Sequence, residues 1–250
     1  MTAEDVASLP MQSLTIPARF SGPPGSANGG YTAGRVARLL PGVGAVQVTL
    51  RLPPPLDTPL DLVVEGDRAT VTAGGAVVVE AAPGRLDRDP VHPVTAEVAA
   101  AVMGDYAGLA QHPFPGCFAC GTDRPGGDGL GLRPGRLADR PDAVATAWVP
   151  DASLSDTTGE VAPEMVWAAL DCPGGWSADL VGRPMVLGRM TAEVDARPEV
   201  GDRCVVMGRL LGTDGRKTFT QSTAYDGDGR VLGRAEATWL AVDPSRLSPG

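Results

Sequence analysis

Few residues in this chain have the type and spacing to do chemistry. Cys117 and Cys120 form a Cys-x-x-Cys pair with His112 just upstream, which is half of a structural zinc site. No second such pair follows, so Cys172 or Cys204 would have to fold back to complete a ligand set. A single pair usually reflects small buried residues, and no metal is expected. Cys172 has no histidine near it in sequence to raise a thiolate, which argues against a cysteine nucleophile. The glycine-dense stretch 123–132 follows no strand and lacks the Lys-Ser/Thr of a phosphate loop. Asp171 precedes Pro-Gly-Gly, where a carboxylate opposes the dipole of any helix ending there. That mildly disfavours a purely local role. Glu164 opens a helical stretch, where the dipole suits an acid whatever its role.

The elements that must position these residues occur twice in the same order. In the first half, 12–85, a strand is expected at Ser13–Phe20 and a helix at Gly29–Leu40, with Asn28 as N-cap. Strands follow at Val46–Leu52, Leu62–Glu65, Arg68–Thr72 and Ala76–Glu80, separated by Gly66-Asp67 and Ala73-Gly74-Gly75 turns. In the second half, 141–245, a strand at Ala143–Val149 precedes a helix at Pro163–Leu170, with Pro163 at a favoured first position. Pro173 should end or kink that helix. Strands at Leu187–Asp195, Cys204–Leu210, Lys217–Tyr225 and Val231–Val242 complete the copy. The connecting segment, 86–140, contains an Ala-rich stretch, Thr95–Ala110, that reads as a helix with Asp105 and Tyr106 exposed.

Composition excludes several classes of function. The chain has 250 residues and a net charge of −9. Its scattered arginines and single lysine, Lys217, do not make the basic surface that nucleic acid requires. No apolar run is long enough to span a membrane. The first seven residues lack the basic and apolar regions of a signal peptide, so a cytoplasmic location is expected. With 33 Gly and 24 Pro, much of the sequence is turn chemistry, part of it attributable to a GC-rich codon bias that also replaces Lys by Arg.

Three stretches carry a family resemblance. Cys117-Phe118-Ala119-Cys120-Gly121 with the following Gly129-Leu130-Gly131-Leu132, Leu170-Asp171-Cys172-Pro173-Gly174-Gly175-Trp176, and Gly233-Arg234-Ala235-Glu236-Ala237-Thr238-Trp239 resemble segments of PaaI-like hotdog thioesterases. The resemblance covers residues 112–243 well. It reaches the first half only through element order and the tripeptide Asn28-Gly29-Gly30. It implies an α+β double hotdog, two helix-plus-antiparallel-sheet halves forming an internal pseudo-dimer, and a soluble acyl-CoA or acyl-carrier thioester hydrolase. No cofactor is implied beyond the coenzyme A of the substrate, and a homodimer of double hotdogs stays open.

In such enzymes a His-Gly-Gly tripeptide starts the central helix, and an acid follows seven residues after the second glycine. The halves of this chain divide that pattern. The first has Asn28-Gly29-Gly30 but Ala37 at the acid position. The second has Asp171 but places Pro163, without an N–H, on the first glycine. The resemblance therefore implies one composite site, with the Gly29 N–H polarising the thioester and Asp171 acting as nucleophile or general base, and one erased site. Asn28, Gly30 and Glu164 are secondary candidates, Trp167 and Trp176 candidate acyl-contacting residues. Arg124, Arg133, Arg136, Arg183 and Arg189 are unranked candidates for the coenzyme A phosphates. Two other functions remain: an acyl-CoA or acyl-chain binding protein without catalysis, and a MaoC-like hydratase. The hydratase needs an Asp–His pair, and the two histidines, His92 and His112, lie outside both expected central helices.

Overall fold

A computed structural model describes residues 12–243. The N-terminal heptad and the last two residues of the expected second half, 244–245, lie outside them. The strands are β1 (Gln12–Leu14), β2 (Val46–Leu50), β3 (Leu60–Glu65), β4 (Arg68–Ala73), β5 (Ala76–Pro83), β6 (Gly135–Arg136), β7 (Ala143–Trp148), β8 (Met185–Val194), β9 (Cys204–Asp214), β10 (Lys217–Tyr225) and β11 (Val231–Ala241). They form one antiparallel sheet in the order β1-β3-β4-β5-β2-β8-β11-β10-β9-β7-β6. The halves join where β2 pairs with β8, Val46 opposite Ala192 through Thr49 opposite Arg189. Turn chemistry sets the hairpin registers. Gly74 and Gly75, for example, take φ of 55° and 82° between β4 and β5, a conformation that disfavours side chains with a Cβ.

Two helices pack together against one face of the sheet, α1 (Gly29–Ala37) and α3 (Pro163–Trp176). Glycine makes their approach close. A Cβ on Gly30 would lie 2.5 Å from Asp171 Cβ and 2.7 Å from the Trp167 carbonyl, and one on Gly34 would lie 2.7 Å from Glu164 Cα. The spacing of these glycines, one helical turn apart, leaves a bare stripe on α1 for α3 to lie in. Alternation along β9 sends Cys204 and Val206 into this main core. It sends Val205 and Met207 into a smaller cluster with Val91, Ala99 and Leu137 from the connecting segment.

Four local expectations change. Helix α3 does not stop at Leu170 but continues through Pro173 to Trp176. Every residue of it after Pro163 is buried, so packing outweighs the missing N–H, and Gly208 on β9 has no Cβ to strike the Pro173 carbonyl. The strand expected at Ser13–Phe20 is only β1, followed by a 3-10 turn at Ala18–Phe20. In the connecting segment, α2 covers only Ala96–Val102, and two 3-10 turns follow. Asp105 is exposed, as expected, but Tyr106 is buried, donating its O–H to the Cys120 carbonyl at 3.0 Å.

Candidate active site

Helix α1 begins at the seam between the halves, and Asn28 caps it. The Asn28 Oδ1 accepts the Tyr31 N–H at 2.8 Å, while its amide nitrogen donates to Asp171 Oδ2 at 3.1 Å. One Asn side chain thus accepts from the helix through its oxygen and donates to the carboxylate through its nitrogen. The Gly30 N–H donates to the same Asp171 oxygen at 3.0 Å. The acid from the second half is thus held by the helix start of the first.

Gly30, not Gly29, bonds Asp171, and the Gly29 N–H has no hydrogen-bond acceptor among the described residues. Asp171 is 3% exposed, and its Oδ1 is buried with no hydrogen-bond partner among the described residues. Burial, reinforced by nearby Cys117, pushes its carboxyl up to about 7, against the opposing pull of the Gly30 and Asn28 donors. An acid in that range can exchange a proton near neutral pH.

Gly29 and Asp171 line one small inner cavity of about 40 Å³, together with His112, Cys117, Cys120, Cys172 and Trp176. A larger open cleft of about 580 Å³ adjoins it, sharing Pro23, Gly29, Val186 and Leu187. Arg51 and Arg216 lie along this cleft. None of the five arginines singled out from sequence lines either cavity. Arg124, for instance, is occupied by the Arg19 and Gly116 carbonyls and by Asp128. Strand order explains the difference, since it brings the end of β2 and the β9–β10 turn together at the seam.

The other candidates separate. Trp176 lines the inner cavity and donates its Nε1–H to Cys120 Sγ at 3.4 Å. Trp167 does not line it; its Cβ and ring face Gly34 of α1. Helical spacing places Trp167 on the Asp171 side of α3, but that side is covered by α1 itself. Glu164 lies away from Asp171, taking both carboxylate oxygens to Arg38 Nη1 at 2.8 Å, with Arg35 Nε at 3.8 Å. It closes the pseudo-symmetric position, where Pro163 offers no N–H and Ala37 no acid, with an ion pair. His112 was missed as a cavity residue because its segment carries no periodic signal. Both its ring nitrogens meet backbone groups: Nδ1 accepts the Phe114 N–H at 2.9 Å, and Nε2 faces the Cys120 carbonyl at 3.1 Å. His92 is exposed.

No protein-family model matches the chain, and no curated protein matches its sequence. Solved structures do. A hot-dog-fold protein of unknown function from Alicyclobacillus acidocaldarius superposes with a TM-score of 0.59, covering 93% of both chains at 13% identity. The fold is a double hotdog. Two further structures span this double hotdog equally well. A tesB protein of Mycobacterium avium subsp. paratuberculosis has a TM-score of 0.60 at 14% identity, covering 92% of each chain. A Novosphingobium aromaticivorans protein assigned as a thioesterase has 0.59 at 15% identity, covering 92% of this chain and 95% of its own. Among the described residues, no helix of the double hotdog is long and apolar enough to cross a membrane.

Proposed function

We propose that the protein hydrolyses acyl-CoA or acyl-carrier thioesters at one composite site between its halves. The observation that carries this reading is the Asp171 carboxylate. One oxygen is held by the Gly30 N–H and Asn28 amide of the opposite half, and the other is buried with no hydrogen-bond partner among the described residues. A buried acid with a raised pKa and a free oxygen beside a cavity is poised for base or nucleophilic work.

In the reaction, the thioester carbonyl oxygen takes the Gly29 N–H, where the helix dipole also opposes developing negative charge. The inner cavity has room for a water beside the acyl carbon, since about 10–15 Å³ suffices for one. Asp171 removes a proton from that water as its oxygen attacks the carbonyl carbon. The tetrahedral intermediate then expels the thiolate, which regains a proton. Direct attack by Asp171, followed by anhydride hydrolysis, uses the same residues. The open cleft accommodates the extended arm of the substrate, and Arg216 suits its anionic end, Arg51 on the same cleft being paired with Glu80 at 2.6 Å. The double-hotdog relative assigned as a thioesterase supports the same reading. A hydratase is less well supported, because both His112 nitrogens are taken up by backbone groups.

The test is thiol release from acyl-CoAs of graded chain length by the full chain and by Asp171→Asn. Release that disappears in the variant supports the reading. Binding of acyl-CoA without release by the wild type would replace it with an acyl-binding role. An absorbance change on an enoyl-CoA would replace it with a hydratase.

A further inference from the structure

The inner cavity wall holds a second group of reactive side chains that hydrolysis does not use. Cys117 and Cys120 come from the segment joining the halves, and Cys172 comes from α3, 55 residues after Cys117. All three are buried and free of disulfides. Their sulfurs all lie within 4.8 Å of one another, Cys117 and Cys172 being 3.7 Å apart. An equilateral triangle with sides in that range has its corners roughly 2.1–2.8 Å from its centre, bracketing a Zn–S bond of about 2.3 Å. A single ion at the centre can reach all three sulfurs.

The surroundings suit sulfur as an anion. The Asn28 amide donates toward Cys117 Sγ at 3.7 Å. Trp176 Nε1–H donates to Cys120 Sγ at 3.4 Å, and His112 Nε2 lies 3.5 Å from the same atom. Because His112 Nδ1 accepts the Phe114 N–H, its Nε2 carries the ring proton and acts as a donor, not a ligand. Neutral thiols are weak acceptors that need no such set of donors, whereas metal-bound thiolates are regularly supported by outer-shell N–H groups. The turn itself is tight, closed by the Gly121 N–H to the Cys117 carbonyl at 2.8 Å.

We propose that Cys117, Cys120 and Cys172 form a three-thiolate site for one thiophilic divalent ion of the Zn²⁺ class, with a fourth position facing the inner cavity. Three protein ligands and an open position distinguish such a site from a closed structural one. All three cysteines line the cavity, which provides that opening. Binding forms three metal–sulfur bonds and displaces whatever protons the thiols carry, without any change of oxidation state. The sequence expectation of no metal rested on one Cys-x-x-Cys pair; the third ligand comes from a distant helix.

The experiment titrates the reduced, chelator-stripped full chain with Cd²⁺, following the thiolate-to-metal charge-transfer absorption in the near ultraviolet. Zn²⁺ is then measured by competition with a chromophoric chelator. The expected result is one ion per chain and a Tm raised by the ion. Affinity should fall roughly 100-fold or more in Cys120→Ser and Cys172→Ser, since even outer-shell changes cost 10–100-fold. Cys204→Ser, which alters a buried thiol on β9 outside the cluster, should bind like the wild type. Absence of the charge-transfer band in the folded wild type overturns the proposal, as does the same band in Cys172→Ser. So does a reduced chain that takes up no ion but forms a Cys117–Cys172 disulfide with hydrogen peroxide, found by mass spectrometry. None of these readouts uses activity, so the hydrolase reading and this one fail separately.

Discussion

Replacing Asp171 by Asn should stabilise the protein near pH 8 while removing turnover. The folded carboxyl sits at about 7 because it is buried, against about 3.9 in an unfolded chain. Below about pH 4 both states are protonated and the acid costs nothing. Between about 4 and 7 the unfolded chain ionises while the folded one keeps its proton, so stability falls with rising pH. Above 7 the whole difference remains. About three pKa units at 1.36 kcal/mol each set an upper bound of about 4 kcal/mol. An Asn side chain can still accept the Gly30 and Asn28 donors, but its amide replaces the unpartnered Oδ1 and leaves a buried donor costing about 1–3 kcal/mol. The net gain at about pH 8 is therefore about 1–3 kcal/mol, and each kcal/mol moves Tm by roughly 2–4 °C in a chain of this size. Denaturant and thermal unfolding of both proteins in chelator-containing buffer, at about pH 4 and about pH 8, measure it. A variant equally destabilised at both pH values would refute the buried, proton-retaining carboxyl. A variant that unfolds more easily only at high pH would reverse the sign of the argument.

Gly30→Ala should cost about 1–3 kcal/mol or more and lower kcat sharply, because its Cβ would lie 2.5 Å from Asp171 Cβ and force α1 away from α3; unfolding midpoints and thiol release report both. Arg38→Ala should destabilise by about 1–3 kcal/mol, less than a fully buried pair because Arg38 is half exposed and Arg35 remains beside Glu164, with kcat unchanged. A large loss of kcat there would return Glu164 to the catalytic set. Arg216→Ala should raise KM for coenzyme A esters about 3–10-fold with little change in kcat, because Arg216 lines the open cleft and not the inner cavity. Steady-state kinetics with and without the coenzyme A phosphates would separate that from a general loss.

Local chemistry made a good part of this protein legible in its sequence. Alternating strand residues, Gly-Asp and Gly-Gly turns, Asn28 as a cap and Pro163 at a first helical position are decided within a few residues of chain. They lead to two similar halves with one principal helix each. The short motifs around Cys117, Asp171 and Trp239 pointed to the fold. What sequence left open depends on partners far away in the chain. Helix α3 crosses Pro173 because the sheet, α1 and the connecting segment together bury it, which outweighs a local penalty. Since α3 has no exposed face, helical period could not tell that Trp167 meets α1 while Trp176 reaches the cavity. Only the packing of α1 on α3 selects the Gly30 N–H for Asp171 and leaves that of Gly29 free. Arg51, Arg216 and the third cysteine likewise reach their places through strand order and helix docking. Hydrogen bonds along a segment can be read from the segment; contacts between surfaces brought together by the core cannot.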